Sequence, residues 1–153
     1  MSAAQPITVS IAGIDEVRAA IRAYGRGVET AVDQAVMASA LEMLTDVRKQ
    51  IQGPPKTGAI YKRGKGGKIS HRASAPGEAP ATDTGALVSS TYITKLGPMT
   101  AAIGSRLAYA FHLEFGTWKM EPRPSWMPAA ERAGPRLEAR VARVIARARG
   151  GRP

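Results

Sequence analysis

His112 and Glu114, spaced as His-x-Glu, are the residues of this chain whose types most directly suggest chemistry. That spacing is half of the zinc deaminase signature, in which the Glu moves protons beside a metal-bound water. The other half is Pro-Cys-x-x-Cys, and the chain has no cysteine. The pair therefore reads as a helical His beside a helical Glu. Residues 58–66, Gly-Ala-Ile-Tyr-Lys-Arg-Gly-Lys-Gly, have the look of a phosphate loop. Five residues separate the first two glycines where a Walker loop has one fewer, and Gly66 replaces the Ser or Thr that would meet magnesium. Glu42 and Asp46 lie one helical turn apart and could share a cation, but neither a His nor a second acidic pair accompanies them. They read as a solvated helix face. With only His71 and His112, no thiol and no Gly-x-Ser-x-Gly, neither nucleophilic catalysis nor a His-rich metal centre has its parts. The expectation is a protein that is not an enzyme and uses no cofactor.

What remains distinctive is aromatic and basic. Both Phe and both Trp of the chain fall within residues 109–130: Phe111, Phe115, Trp118 and Trp126. Large aromatics supply the most burial per residue and anchor cores and interfaces. Gathered around Gly116, Pro122, Pro124 and Pro128, they specify one rigid joint or surface. Phe111, Phe115 and Trp126 could equally be core. Trp118, outside any expected element and next to Lys119, is the best candidate for a contact between subunits.

The net charge of +10 is unevenly placed. Residues 1–50 carry five Lys/Arg against six Asp/Glu, a balance of −1, so the whole excess lies later. One part is the acid-free run Lys56, Lys62, Arg63, Lys65, Lys68 and Arg72. The other is the terminal segment with Arg132, Arg136, Arg140, Arg143, Arg147 and Arg149. Localised positive charge suits a polyanion, an acidic protein surface, or solubility alone.

These features need elements to hold them. At 153 residues one domain, spanning 1–153, is expected, burying roughly 70% of its unfolded surface. The hydrophobic share of 44%, much of it Ala, predicts a thin core. Residues 1–6 lack the basic and apolar runs of a secretory signal, and no stretch approaches the ~18 apolar residues of a membrane span. The expectation is a soluble protein made in a cytoplasm, with no membrane partner. Strict alternation over 7–11 predicts a strand, and three- and four-residue steps over 14–24 a short amphipathic helix. Val28, Val32, Val36, Met43, Val47 and Ile51 share one face of a longer helix over 28–51. The segment 53–82 holds almost no apolar side chains and is expected to be a flexible basic loop, mobile alone and ordered against a partner. Residues 91–95 and 100–104 predict an antiparallel hairpin, and 107–115 a short helix. A final Arg-rich helix over about 128–149 opens on Pro128 and should kink or split at Gly134-Pro135. The order β-α-α-loop-β-β-α-α is that of an α+β domain, a small, mostly antiparallel sheet packed against helices.

Two segments resemble the small neck or tail-completion proteins of long-tailed bacteriophages. His71-Arg-Ala-Ser-Ala-Pro-Gly-Glu-Ala-Pro-Ala-Thr-Asp-Thr-Gly-Ala-Leu87 is similar to that family's Ala-Ser-x-Pro-Gly-x-x-Pro run followed by Thr-Gly-x-Leu. Tyr109-Ala-x-x-x-Glu-Phe-Gly-Thr117, followed by Pro124-x-x-x-Pro128-Ala129, is similar to its Tyr-Ala…Glu-Phe-Gly-Thr…Arg-Pro-Phe-…-Pro-Ala block, with Trp126 near the place where a Phe commonly follows the first Pro. The motifs cover about a quarter of the chain. The resemblance implies a structural virion protein at the head–tail junction, a neck, tail-completion or tail-terminator subunit. It implies a ring of copies, expected to be hexameric, around the DNA channel, formed in the host cytoplasm. Neighbouring connector and tail-tube proteins would be its partners, with sequence-independent contact to packaged double-stranded DNA. On this expectation Lys56, Lys62, Arg63, Lys65, Lys68 and Arg72 face the channel or a partner. Phe115, Gly116, Thr117, Trp118, Pro122, Pro124 and Trp126 would form the contact between subunits. A non-specific DNA-binding module is the alternative, favoured by the net charge and opposed by the acidic first third.

Overall fold

A 27-residue helix, α1 (Arg26–Gln52), is the backbone of the domain. The computed structural model describes residues 25–150, together with Arg18, Ala19 and Arg22. The expected strand over 7–11 and most of the helix over 14–24 lie outside the described residues. Along α1, Val32, Ala35, Ser39, Met43, Leu44, Val47 and Ile51 are buried, at three- and four-residue steps, so one stripe faces the core. Its last carbonyls, which have no partner within the helix, are answered from outside. The Gly53 N–H donates to Lys49 O (2.7 Å), Lys56 Nζ to Gln50 O (2.9 Å), and Thr82 Oγ1 to Ile51 O (3.1 Å).

The strands β1 (Ile60–Arg63) and β2 (Ile69–Arg72) follow, then α2 (Ala86–Ser90), β3 (Thr91–Gly97), β4 (Thr100–Ser105), α3 (Tyr109–Phe115) and α4 (Trp126–Gly150). The domain is α+β, with two separate two-stranded antiparallel sheets, β1-β2 and β3-β4. No helix among the described residues is long and apolar enough to cross a membrane.

The hairpin β3-β4 pairs Thr91 with Ser105 through Lys95 with Ala101, then shifts register so that Gly97 faces Thr100. Met99 in its turn has φ +55°, a region that favours glycine. Two contacts hold it there: its N–H donates to Asp33 Oδ1 (2.9 Å), and its side chain is buried against Val32. Asp33 also pairs with Lys95, and the two donors keep its carboxyl below the usual carboxylate range. Arg48 fixes the other end, donating to Thr91 Oγ1 (2.8 Å) and Thr91 O (3.1 Å).

The main core joins Met43, Leu44, Val47 and Ile51 of α1 to Leu87, Ile103, Ala110, Trp126 and Ala129. A smaller cluster packs Val32 and Met99 with Val28, Val36, Val141 and Val144, where the far ends of α1 and α4 meet.

The start of α4 and the expected split within it differ from the sequence reading. The helix starts at Trp126 rather than Pro128, because a buried carboxylate described below satisfies its first N–H groups. It also runs unbroken through Pro135. The ring of a helical Pro clashes with the preceding residue's Cβ and removes one N–H. Here the preceding residue is Gly134, which has no Cβ, and Pro135 is on the exposed side, where water can reach the released Glu131 carbonyl.

Candidate interaction surface

The segment from α3 to α4 is a joint in which each motif residue has an assignable task. Glu114, 3% exposed, turns its carboxylate onto the start of α4. Its Oε2 accepts the N–H groups of Ser125 (2.8 Å) and Trp126 (3.0 Å), and its Oε1 that of Met127 (2.7 Å). A helix begins with N–H groups that lack partners and carries partial positive charge there, so a carboxylate is the fitting cap. Gly116 follows α3 at φ +76°, and a Cβ there would sit 2.7 Å from Met120 O and 3.0 Å from the Pro122 ring. Only glycine fits. Thr117 and Met120 then exchange backbone hydrogen bonds (2.7 and 3.2 Å), leaving Trp118 and Lys119 at the tip.

Trp118 is 89% exposed, touched by the Lys119 ammonium 4.3 Å from its ring centroid. Phe111 and Phe115 lie together on the outer side of α3, centroids 4.8 Å apart, each about half exposed. The surface expected for subunit contact is therefore largely outward: Phe115, Thr117, Trp118 and Pro122 are exposed, while Gly116 and Pro124 are partly covered. Trp126 is the exception. At 1% exposure it belongs to the core, since it follows directly on the capped turn and enters the layer between α1 and α3.

The basic segment is also corrected, from a loop to a hairpin. β1 and β2 pair Ile60 with Arg72, Tyr61 with His71, Lys62 with Ser70, and Arg63 with Ile69. Gly64, Gly66 and Gly67, all at positive φ, make the turn. Few apolar residues are needed, because the ladder satisfies the backbone and the base is tied elsewhere. Gly58 and Ala73 continue the pairing (Gly58 N–H to Ala73 O, 3.1 Å; Ala73 N–H to Ala59 O, 2.9 Å). Glu78 accepts from Thr57 Oγ1 (2.6 Å), Thr57 N–H (3.1 Å) and Ala75 N–H (2.9 Å), and these hydrogen bonds hold its pKa down at about 2.

The expected channel residues divide. Lys62, Lys65 and Lys68 project from the hairpin and are exposed, and Arg63 lies in β1 between them. Arg72, also exposed, reaches back to Gly58 O (3.5 Å). Lys56 stands apart at the end of α1, where burial pushes its ammonium pKa down and Glu78 partly opposes the shift. Ile60, Tyr61 and Ile69 are each more than half exposed, so the hairpin carries uncovered apolar area as well as charge.

The arginines of α4 are less available than their number suggests. Arg136 pairs with Asp46 (3.0 Å), and Arg140 pairs with Glu42 and donates to Ser39 Oγ (3.2 Å). The two acids that could have shared a cation instead bind α1 to α4. Among the described residues, no group of three or more His, Asp or Glu could hold a metal ion. His112, the other half of the deaminase-like pair, is exposed beside Phe111.

The two motif segments, far apart in sequence, meet. The Gly77 N–H donates to Pro122 O (2.9 Å), the Arg123 N–H to Leu113 O (2.6 Å), and Arg123 Nε to Ser74 O (3.2 Å). Between them opens a cleft of about 200 Å³, lined by His71 and Asp83 (Nδ1 to Oδ1, 3.6 Å) and by Tyr109, Leu113 and Arg123. Neither Arg123 nor Ser74 was among the expected site residues. The available signal was Arg123 itself, a lone cation set between Pro122 and Pro124.

No protein-family model matches the chain, and no curated protein or solved structure matches it either.

Proposed function

We propose that this chain is a structural subunit of a tailed bacteriophage. It assembles as a ring at the head–tail junction, as a neck, tail-completion or tail-terminator protein, and acts without catalysis. The observation that carries this reading is the convergence of the two family-like segments on one joint that holds Trp118 out at 89% exposure. An indole held out by a glycine turn and a two-residue tip contributes nothing to this domain's own core. It suits an anchor in a neighbouring subunit, where aromatic side chains carry much of the binding.

The hairpin supports the same reading from the other side. Its lysines and exposed apolar residues suit contact with DNA phosphates in a channel, independent of sequence and weakened by salt. The same hairpin keeps a second reading alive, a non-specific DNA-binding module working as a monomer.

Subunit counting separates the two. Native mass spectrometry and electron microscopy of the purified chain should find closed rings, alone or on isolated tails. A monomer that binds duplex DNA and never joins a particle would replace the ring with the second reading. Changing Lys62, Arg63, Lys65 and Lys68 together to Ser should lower DNA retention in particles while leaving the ring intact. Unchanged DNA content would return the charge run to a solvated role.

A further inference from the structure

The cleft between the two motif segments is lined by hydrogen-bond donors that have nothing to donate to among the described residues. Arg123 spends its Nε on Ser74 O, and no carboxylate among the described residues meets its two terminal nitrogens. Ser74 is 4% exposed and lines the cleft, and its hydroxyl has no hydrogen-bond partner among the described residues. The Thr84 hydroxyl accepts from the Ala86 N–H (3.3 Å), which leaves its proton to give. The Tyr109 hydroxyl, at the start of α3, also lines the cleft and has no hydrogen-bond partner among the described residues.

A half-buried guanidinium and three hydroxyls around one cavity form a complement for an anion, because a guanidinium fork matches two oxygens at once. The volume limits the ligand. About 200 Å³ lies below the ~300–1,000 Å³ of small-molecule and cofactor sites, so the cleft suits a single residue rather than a nucleotide. The walls limit it further. Leu87, Val88 and Leu113 offer apolar area next to the donors.

We propose that this cleft binds a carboxylate carried on a peptide segment of a partner protein, with Arg123 as the fork and Ser74, Thr84 and Tyr109 as supporting donors. The net charge of +10 favours a partner segment of acidic character. The carboxylate belongs either to an acidic side chain or to a chain terminus. The site does not depend on ring formation, and a monomer would bind equally well.

The test follows the amide resonances of Ser74, Gly85 and Arg123 by NMR, with the full chain, during titration with four probes. N-acetyl-leucine carries only a terminal carboxylate, N-acetylglutamic acid α-amide only a side-chain carboxylate, and N-acetylleucinamide none. Inorganic phosphate is the fourth. Saturable shifts with the first assign the site to a chain terminus, and with the second to an acidic side chain; either supports the proposal. Arg123→Gln should weaken that binding at least about tenfold, as expected for a lost hydrogen bond to a charged group. Arg123→Lys, which keeps the charge without the fork, should not restore it. Tyr109→Phe, at a half-exposed position, should weaken binding a few-fold and carries the test if the Arg123 variants do not fold. The proposal is overturned if neither carboxylate gives saturable shifts, or if N-acetylleucinamide shifts the same amides equally. Tighter binding of phosphate, or unchanged affinity in Tyr109→Phe and in any Arg123 variant that folds, would overturn it too.

Discussion

Replacing Glu114 by Ala removes the acceptor of three N–H groups at the start of α4. Ser125 and Trp126 are both 1% exposed, away from bulk solvent, and each N–H left unpaired there costs about 1–3 kcal/mol. Met127 is 47% exposed, and solvent can take over its bond. The substitution also relieves the cost of keeping a carboxylate out of water, which offsets part of the loss. The net destabilisation expected is about 2–4 kcal/mol, a large share of the ~5–15 kcal/mol that holds a typical domain together. Glu114→Gln should cost less. Its one carbonyl oxygen can serve the two donors that share Oε2, while its amide nitrogen faces the Met127 N–H, for a loss of about 1–2 kcal/mol. Urea titration followed by tryptophan fluorescence reads this directly. Trp126 is buried and changes environment on unfolding, whereas in the unassembled protomer Trp118 is already in water. With a slope of about 1–3 kcal/mol per molar urea, Glu114→Ala should move the midpoint down by roughly 1–2 M, and Glu114→Gln by about half of that. If Glu114→Ala unfolds within 0.2 M or so of the parent, the carboxylate is not what starts α4, and the account of the motif fails.

Trp118→Ala should leave the stability of the unassembled protomer within about 0.5 kcal/mol of the parent, as for an exposed residue, yet reduce ring formation counted by native mass spectrometry. Equal ring yields would remove Trp118 from the interface. Glu78, with its pKa pushed down to about 2 from an ordinary 4.5, should tie the hairpin base fully above about pH 4.5 and release it as pH falls toward 2. Protection of the Thr57 and Ala75 amides from hydrogen exchange, taken relative to the intrinsic rate at each pH, should fall over that window in the parent, and Glu78→Gln should remove that change in protection. Pro135→Ala should restore an N–H to the Glu131 carbonyl and stabilise the protein by about 1–2 kcal/mol, read from thermal unfolding. A less stable variant would mean that α4 needs a bend there to lie along α1.

Local pattern alone was enough for the long elements. The Val28–Val32–Val36 and Met43–Val47–Ile51 steps give α1 within two residues at either end, and alternation gives β3 and β4, because both periods are properties of the chain itself. Where charge and glycine dominate, pattern misled. Residues 60–72 bury almost nothing, yet they pair, because a backbone ladder and a carboxylate at its base substitute for apolar packing. No composition signal reports a hydrogen bond from Thr57 to Glu78, twenty-one residues away. Gly134-Pro135 reads as a kink or a split, and the helix is not split there, because the missing Cβ and an exposed face lower the cost of the proline. The site divides in the same way. The aromatic segment announced itself by composition, and Trp118 is as exposed as its position beside Lys119 suggests. That Trp126 is core, that Glu114 caps a helix, and that Arg123 faces a cleft were decided only when α3, the 71–87 segment and α4 came together. Burial and pairing belong to the space between elements, and that space is set by which faces meet.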